Sequence, residues 1–247
     1  MIRSMLLAVG LFAHLSVAET LLVPQQYPTI QNAIDASQDF DVIEVSPGTY
    51  NEYLVGNGNI VVLRSTDGPD STFIFGNVVF NDEETEQSRI QGFTVNGSII
   101  CQNSDATIIN CVVTGSNYSG IVLQNSESQV FSCTISGNET GILAANFVDT
   151  QKVPTIIDCT IESNLASGLN VYECDPLVGN CLIRNNVREG ILVGGGAPKL
   201  TSCLVCGNNV EFDSIQIEGG WIDLGGNTIE QSCPSGEDTD GDGVPDD

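Results

Sequence analysis

The sequence repeats a short pattern about every 22 residues, and this period limits the folds open to it. Five cysteines mark the repeat at separations of 22, 26, 22 and 22 residues: Cys111, Cys133, Cys159, Cys181 and Cys203. One aliphatic residue lies three positions before each cysteine, and another lies two positions after it. Apolar alternation over runs this short predicts β-strands rather than helices.

Each repeat also carries a second short apolar run after a turn. The run begins with glycine in four repeats, at Gly120, Gly141, Gly168 and Gly190, and Ser214 takes that place in the last full repeat. Asparagine lies five positions after the cysteine in four repeats, at Asn138, Asn164, Asn186 and Asn208. Because asparagine tolerates the left-handed backbone region, this spacing predicts a bend at one corner of every coil.

A coil of about 22 residues is too small to bury its own apolar face, so successive coils must stack. Equivalent residues then lie about 4.8 Å apart in ladders, and roughly 200 residues would form nine or ten coils in a rod near 45 Å long. The sequence therefore predicts an all-β chain that folds as a parallel β-solenoid.

The charge balance excludes two classes of partner. Seven Lys and Arg residues face 32 Asp and Glu residues, for a formal net charge of -25. Nucleic acids and anionic membrane surfaces both require a clustered basic patch on the protein. No apolar stretch is long enough to span a bilayer as a helix. We therefore expect no nucleic-acid partner and no transmembrane segment.

Residues 1–18 have the pattern of a secretory signal peptide: Arg3, then a short apolar run, then Ser16-Val17-Ala18. Cleavage after Ala18 would remove His14, the one histidine of the sequence. A mature chain without histidine excludes Ser-His-Asp and Cys-His catalysis and histidine metal sites. We expect a secreted or cell-envelope protein with a repeat domain at 19–232 and an acidic tail at 233–247.

The repeat and its entry resemble the right-handed parallel β-helix family, which has the pectin-lyase-like fold. The resemblance rests on Val23–Ile34 and Asp41–Glu52 and covers roughly residues 20–230. In that family the Thr-Ile-Gln stretch forms a short helix that caps the open end, and Thr29 here suits the N-cap position. The resemblance implies the fold and a polysaccharide or cell-surface glycan as ligand, but no particular reaction, because these motifs cap and coil the chain.

No catalytic motif of that fold is complete in this sequence. Thr72–Asn77 is similar to the pectin methylesterase signature but has Thr72 at the position of the nucleophilic Asp, so we interpret it as a strand. Lyases of this fold use Arg or Lys as the base. The basic candidates here are Arg64, Arg89, Lys152, Arg184, Arg188 and Lys199, of which Arg188 and Lys199 remain free for that role. Paired acids for glycoside hydrolysis could come from Asp149, Asp158, Glu162, Asp175 and Glu189.

Two kinds of contact follow from the stacking of coils. Glu162 and Arg184 hold equivalent places in neighbouring coils, which predicts an exposed ion pair worth a few tenths of a kcal/mol. The five repeat cysteines are expected as buried thiols, although neighbouring coils also bring them within disulfide range. We expect Cys206 and Cys233 to form a disulfide that holds the C-terminal end.

The acidic tail contains a D-x-D-x-D-G pattern that matches the first nine positions of a calcium loop. The predicted Ca²⁺ ligands are Asp238, Asp240, Asp242 and Asp246. The pattern resembles the calcium loops of thrombospondin type 3 repeats and dockerin modules. The twelfth-position carboxylate is missing before the sequence ends, so we expect weak Ca²⁺ binding, with a merely solvated acidic tail as the alternative.

Two classes of function remain open. The first is an exported, non-catalytic module for glycan binding, adhesion or envelope structure. The alternative is a carbohydrate-active enzyme, a polysaccharide lyase or glycoside hydrolase. Scarce basic residues, the absent histidine and the incomplete motifs favour the first class. The residues that could offer a stacking face to a sugar are Tyr50, Tyr53, Tyr118, Tyr172 and Trp221.

Overall fold

The computed structural model describes residues 17–148, 151–209 and 215–234, which form stacked coils of short parallel strands. Sheet 1 contains β1 (Thr20–Val23), β2 (Val42–Val45), β5 (Val62–Ser65), β8 (Arg89–Gln91), β11 (Thr107–Ile109), β14 (Gln129–Phe131), β17 (Thr155–Ile157), β20 (Leu177–Gly179), β23 (Lys199–Thr201) and β26 (Ile222–Asp223). Sheet 2 contains β3 (Gly48–Tyr50), β6 (Thr72–Phe75), β9 (Thr94–Asn96), β12 (Val112–Thr114), β15 (Thr134–Ser136), β18 (Thr160–Glu162), β21 (Leu182–Arg184), β24 (Leu204–Cys206) and β27 (Thr228–Glu230). Sheet 3 contains β4 (Leu54–Val55), β7 (Val78–Phe80), β10 (Ile99–Gln102), β13 (Ser119–Gln124), β16 (Thr140–Ala145), β19 (Leu169–Tyr172), β22 (Ile191–Val193) and β25 (Ile217–Glu218).

A regular coil runs from sheet 1 to sheet 2, then to sheet 3, and returns to sheet 1 one level further along the rod. The register places equivalent repeat positions side by side, so that Ile108 pairs with Val130 and Val130 pairs with Ile156. Ten strands in sheet 1 at about 4.8 Å spacing give a rod of about 45 Å. The predicted all-β parallel solenoid with about 22 residues per coil is confirmed.

The core is a set of aliphatic columns, one behind each sheet. In most strands an aliphatic residue points inward, as Val130 does in β14, Ile135 in β15 and Ile142 in β16, all with no exposed surface. Removal of one such side chain from water is worth about 1.5–3 kcal/mol, so the stacked columns hold the coils together.

The corners of the coil differ from the sequence prediction. The left-handed backbone residue lies one position before each repeat asparagine, as at Gly137, Ser163 and Asn185. A second left-handed residue precedes each repeat cysteine, in the two-residue turn from sheet 1 to sheet 2. The prediction that the repeat asparagines themselves take the left-handed bend is therefore wrong. Their side chains are buried, and they bond to the neighbouring coil instead.

These asparagines form a continuous hydrogen-bonded column inside the rod, which we call the asparagine ladder. Its members are Asn138, Asn164, Asn186 and Asn208. Each side-chain oxygen accepts the backbone N–H of the preceding ladder position, at 3.0–3.1 Å. Ser116 and Gln216 occupy the two ends of the column. A buried polar side chain is tolerated here because its hydrogen bonds are made within the ladder and to backbone carbonyls.

Helix α1 (Ile30–Ala36) closes the N-terminal end of the rod and buries Ile30, Ala33 and Ile34 against it. The Thr29 hydroxyl accepts from the backbone N–H of Asn32 at 3.1 Å, so the predicted N-cap is confirmed. A second cap comes from the following coil. Both oxygens of Glu52 accept backbone N–H groups of the first helical turn, each at 3.0 Å.

The cysteines divide into a disulfide and buried thiols. Cys206 and Cys233 are joined by a disulfide, as predicted. The five repeat cysteines are free and buried in one column, which we call the thiol ladder: Cys111, Cys133, Cys159, Cys181 and Cys203. The predicted ion pair is also present, with 2.8 Å between Arg184 Nε and Glu162 Oε2.

Two predicted segments fall outside the described residues. They are most of the signal peptide, at 1–16, and most of the acidic tail, at 235–247. In the residues that are described, no helix has the length and apolar character needed to cross a membrane.

Candidate functional site

An open depression lies where the chain passes from sheet 3 to sheet 1 in the middle of the rod. The repeat spacing there is 26 residues instead of 22, and the extra length falls between β16 and β17. Two adjoining hollows of about 410 and 330 Å³ result. Both are lined by Asn146, Gln151 and Glu173, and the larger one also by Lys152 and Asp175. We call this feature the central depression.

Two aromatic rings lie beside the central depression. Phe147 and Tyr172 have ring centroids 5.6 Å apart and planes tilted by 32°. Both rings remain open to solvent, with 55% and 44% of their surface exposed. Tyr172 is at the end of β19, in register with Ala145 of the preceding coil. An exposed aromatic pair beside polar groups is a surface suited to an apolar face of a ligand.

A buried asparagine positions the start of the long connection. The Asn125 side chain accepts from the backbone N–H of Phe147 at 2.9 Å and donates to the Asn103 side chain at 3.0 Å. Asn125 is itself left-handed, which turns the chain at the edge of sheet 3. The preceding coil therefore holds the backbone of Phe147 in place.

Lys152 is neutralised at the side of the central depression. Its Nζ lies 2.7 Å from Asp105 Oδ2 and 3.6 Å from Glu127 Oε2. The hydrogen bond from Lys152 to Asp105 raises the pKa of the lysine above its ordinary value. A lysine that abstracts a proton must be neutral at working pH, and such bases have lowered pKa values. Lys152 is therefore suited to an ion pair and a hydrogen-bonding role, not to that of a base.

The remaining charges of the central depression are acidic. Asp175 lines the larger hollow, and its Oδ1 accepts the backbone N–H of Ala197 at 2.7 Å. Glu173 lines both hollows from a left-handed backbone position with its side chain exposed. These acids and the amides of the lining offer hydrogen-bond partners to a polar ligand.

The acids predicted as possible catalytic pairs lie at separate places on the rod. Asp158 is in a turn from sheet 1 to sheet 2, and Glu162 is on the outer face of sheet 2. Asp175 is in a turn from sheet 3 to sheet 1, and Glu189 is in a turn from sheet 2 to sheet 3. Asp149 falls outside the described residues. The four described acids thus lie in different turns and strands of the coil, and Asp175 is the one of them that lines the central depression.

The basic candidates are also separated. Arg188 is exposed in the turn from sheet 2 to sheet 3, whereas Lys199 begins β23 of sheet 1. Neither lines the central depression. The esterase-like stretch forms strand β6 as interpreted, with Thr72 buried and its hydroxyl 2.7 Å from that of Ser65.

The predicted Ca²⁺ ligands in the tail, Asp238, Asp240, Asp242 and Asp246, all fall outside the described residues. Within the ranges that the structure describes, no group of three or more His, Cys, Asp or Glu side chains is arranged to hold a metal ion. The calcium loop stays a prediction from the sequence.

Sequence reasoning identified Tyr172 and Asp175 singly but did not connect them with Phe147, Lys152 or Glu173. The available signal was the one 26-residue interval in a 22-residue repeat, because an insertion in a regular solenoid must project from the rod as a longer loop. The residues that it meets come from neighbouring coils, about 22 positions away in sequence.

The stacked parallel coils, the end-capping helix and the internal ladders define a parallel β-helix. A family profile described as right-handed β-helix region matches residues 54–210. The chain belongs to this right-handed β-helix family.

Two solved structures are similar to this chain in fold. The crystal structure of pectate lyase Pel9A has 13% sequence identity and a TM-score of 0.61, over 84% of this chain and 68% of that one. The A-module of the mannuronan C-5 epimerase AlgE4 from Azotobacter vinelandii has 12% identity and a TM-score of 0.46, over 76% of this chain and 75% of that one. No curated protein matches the chain. The likeness to the pectate lyase is one of fold, because fold does not fix function.

Proposed function

We propose that this protein is an exported, non-catalytic β-helix module that binds a polysaccharide or cell-surface glycan at the central depression. The observation that carries the proposal is the exposed pair of Phe147 and Tyr172 beside a hollow lined by amide and carboxylate side chains. Sugars present apolar C–H faces and a rim of hydroxyls, and this surface offers aromatic contact and hydrogen-bond partners for both.

Two features support a binding role over catalysis. Lys152 is held protonated by Asp105, so the one cation that lines the central depression is not available as a base. Of the acids predicted as possible catalytic pairs, the four described ones lie in different turns and strands of the coil, and Asp175 is the one that lines the central depression. Export is supported by the signal-peptide pattern of residues 1–18.

The net charge bears on which glycan binds. A chain with a formal charge of -25 repels a polyanion, so a neutral polysaccharide is favoured over a polyuronate in the absence of divalent ions. The pectate lyase that shares the fold is named for a polyuronate substrate, and the comparison therefore supports a sugar polymer only as a class.

The test is affinity electrophoresis of the full chain through gels that contain neutral glucans, xylan, mannan or polygalacturonate, with and without calcium. We expect retardation by at least one neutral polymer, and we expect Tyr172→Ala to weaken binding at least about tenfold, a change of about 1.4 kcal/mol. The matched control is Tyr118→Ala, because Tyr118 is 80% exposed but lies in the turn from sheet 2 to sheet 3, away from the central depression. Equal effects of the two variants would contradict the location of the site.

The enzyme alternative has its own readout. The same polymers are incubated with the protein, and both unsaturated-uronate absorbance and new reducing ends are measured. We expect neither. Appearance of either product, lost in Tyr172→Ala, would replace the binding role by a lyase or hydrolase that uses the central depression.

We further propose that the tail binds Ca²⁺ through Asp238, Asp240, Asp242 and Asp246. The support is the alternation of oxygen ligands followed by glycine, which matches the start of a calcium loop.

A further inference from the structure

The thiol ladder is the largest group of reactive side chains that the proposed function leaves unused. Its five members are free, and none has more than 2% of its surface exposed. Each cysteine directly precedes a strand of sheet 2, and those strands pair in parallel register, as Val112 does with Thr134 and Thr134 with Thr160. The sulfur atoms therefore form a row at the interstrand spacing of about 4.8 Å.

The thiols of neighbouring coils lie next to one another along this row, because the cysteines hold the same register position in successive strands. Each sulfur also donates to the carbonyl oxygen two residues earlier, at 3.2–3.4 Å. The row consists of sulfur ligands in an apolar core, which is the environment that soft metal ions prefer.

Two thiolates with an ion in line between them match the spacing of the coils. Two metal–sulfur bonds, each about as long as the 2.3 Å zinc–sulfur bond, span about 4.6 Å, close to the distance between neighbouring strands. A linear site of this kind needs only two ligands, so it is compatible with the lack of any three-ligand group among the described residues. Linear two-coordination by sulfur is typical of monovalent ions with a filled d shell.

We propose that the thiol ladder binds two soft monovalent ions, copper(I) or silver(I), each in line between thiolates of adjacent coils. Each ion forms two metal–sulfur bonds and displaces two S–H protons to solvent, with no change of oxidation state. Five thiols form two such pairs and leave one thiol over.

Backbone amides of the ladder are placed to stabilise the resulting thiolates. The N–H of Cys111 donates to Cys133 Sγ at 3.4 Å. A backbone N–H that donates to a sulfur favours the charged form of that sulfur. Because the thiols are buried, ions enter through local opening of the coils, and binding is slow.

The experiment counts silver(I) bound to the full chain by native mass spectrometry, after desalting from chloride-free buffer. The background carries Cys101→Ala and Cys174→Ala, so that the remaining free thiols are those of the ladder. We expect two ions per chain. Because binding displaces two protons per ion, the affinity falls about 100-fold for each pH unit below the pKa of the thiols.

Two single substitutions distinguish paired sites from simple thiol counting. Cys133→Ala isolates Cys111 and leaves three contiguous thiols, so capacity falls from two ions to one. Cys159→Ala leaves the pairs Cys111–Cys133 and Cys181–Cys203, so capacity stays at two. If circular dichroism shows that the Cys133→Ala variant does not fold, the Cys181→Ala variant replaces it, because its expected capacity is also one ion.

Three results would overturn the proposal. They are no retained silver, equal losses in the Cys133→Ala and Cys159→Ala variants, and ladder thiols already joined as disulfides in non-reducing peptide maps of the exported protein. The silver count does not depend on glycan binding, so failure here leaves the central depression untouched.

Discussion

Asn164 shows how much one buried side chain does in a stacked fold. Its Nδ2 donates to the carbonyl of Ile135 at 3.1 Å and to Asn186 Oδ1 at 2.9 Å. Its Oδ1 accepts from the backbone N–H of Asn138 at 3.1 Å. One residue thus joins three coils. The sequence indicated that this position matters, but it assigned the left-handed bend to the asparagine instead of to Ser163 just before it.

Substitution Asn164→Ala is expected to lower the free energy of unfolding by about 3 kcal/mol. The change leaves a backbone N–H of Asn138 and a carbonyl of Ile135 unpaired in the core, and each such group costs about 1–3 kcal/mol. Urea unfolding followed by circular dichroism measures the loss.

The matched control is Asn117→Ala. Asn117 is exposed in the turn from sheet 2 to sheet 3 and does not have a left-handed backbone, so its loss should stay within about 0.5 kcal/mol. Similar losses for the two variants would show that the buried hydrogen bonds of the asparagine ladder contribute little to the free energy of unfolding.

At the scale of the element, the two ends of the rod are closed differently. Helix α1 covers the N-terminal end, and the sequence predicted it with its cap at Thr29. The second cap at Glu52 was not predicted, because that residue lies about 20 positions downstream and reaches the helix only after the first coil closes. At the C-terminal end, the Cys206–Cys233 disulfide joins β24 to the segment after β27.

Substitution Cys233→Ser should loosen the last coil without unfolding the rod. The disulfide spans 27 residues, and a closed loop of that size stabilises by about 3.5 kcal/mol through the chain-entropy estimate. Hydrogen exchange should therefore speed up about 300-fold at the Thr228 amide, which bonds to Cys203, and remain unchanged at Ile142 in the middle of the rod.

Reductant supplies the control for this variant. With the disulfide reduced, the parent chain and Cys233→Ser should exchange at the same rate at Thr228. A difference that persists in reductant would trace to the serine side chain, and faster exchange at Ile142 would show that the coils unfold as one unit instead of from the end.

Across the whole molecule, the sequence predicted the repeated parts and missed the one irregular part. The 22-residue period determines the three sheets, the buried columns and the register, because each coil can bury its apolar face only against its neighbours. The central depression breaks that period. It joins Phe147 from an insertion to Tyr172 from the next coil and to Asp105 from two coils earlier, and no local pattern connects these three residues.

Because the whole chain is strongly acidic, it attracts Ca²⁺ even without a specific site, and a test must therefore show where the ion binds. Substitutions Asp240→Ala and Asp242→Ala together remove two predicted ligands, whereas Glu218→Ala and Glu230→Ala remove the same charge from exposed positions towards the C-terminal end of the rod. For the parent chain we expect a dissociation constant on the order of 10⁻³ M by calorimetry in chelator-treated buffer, as for weak oxygen-ligand loops. Substitution of the Asp pair should weaken Ca²⁺ binding at least about tenfold, and substitution of the Glu pair less than about twofold.

Equal effects of the two double substitutions would mean that Ca²⁺ is attracted by the overall negative charge of the rod and that the tail forms no specific loop. Such attraction would weaken with added salt, because salt screens charges over about 10 Å.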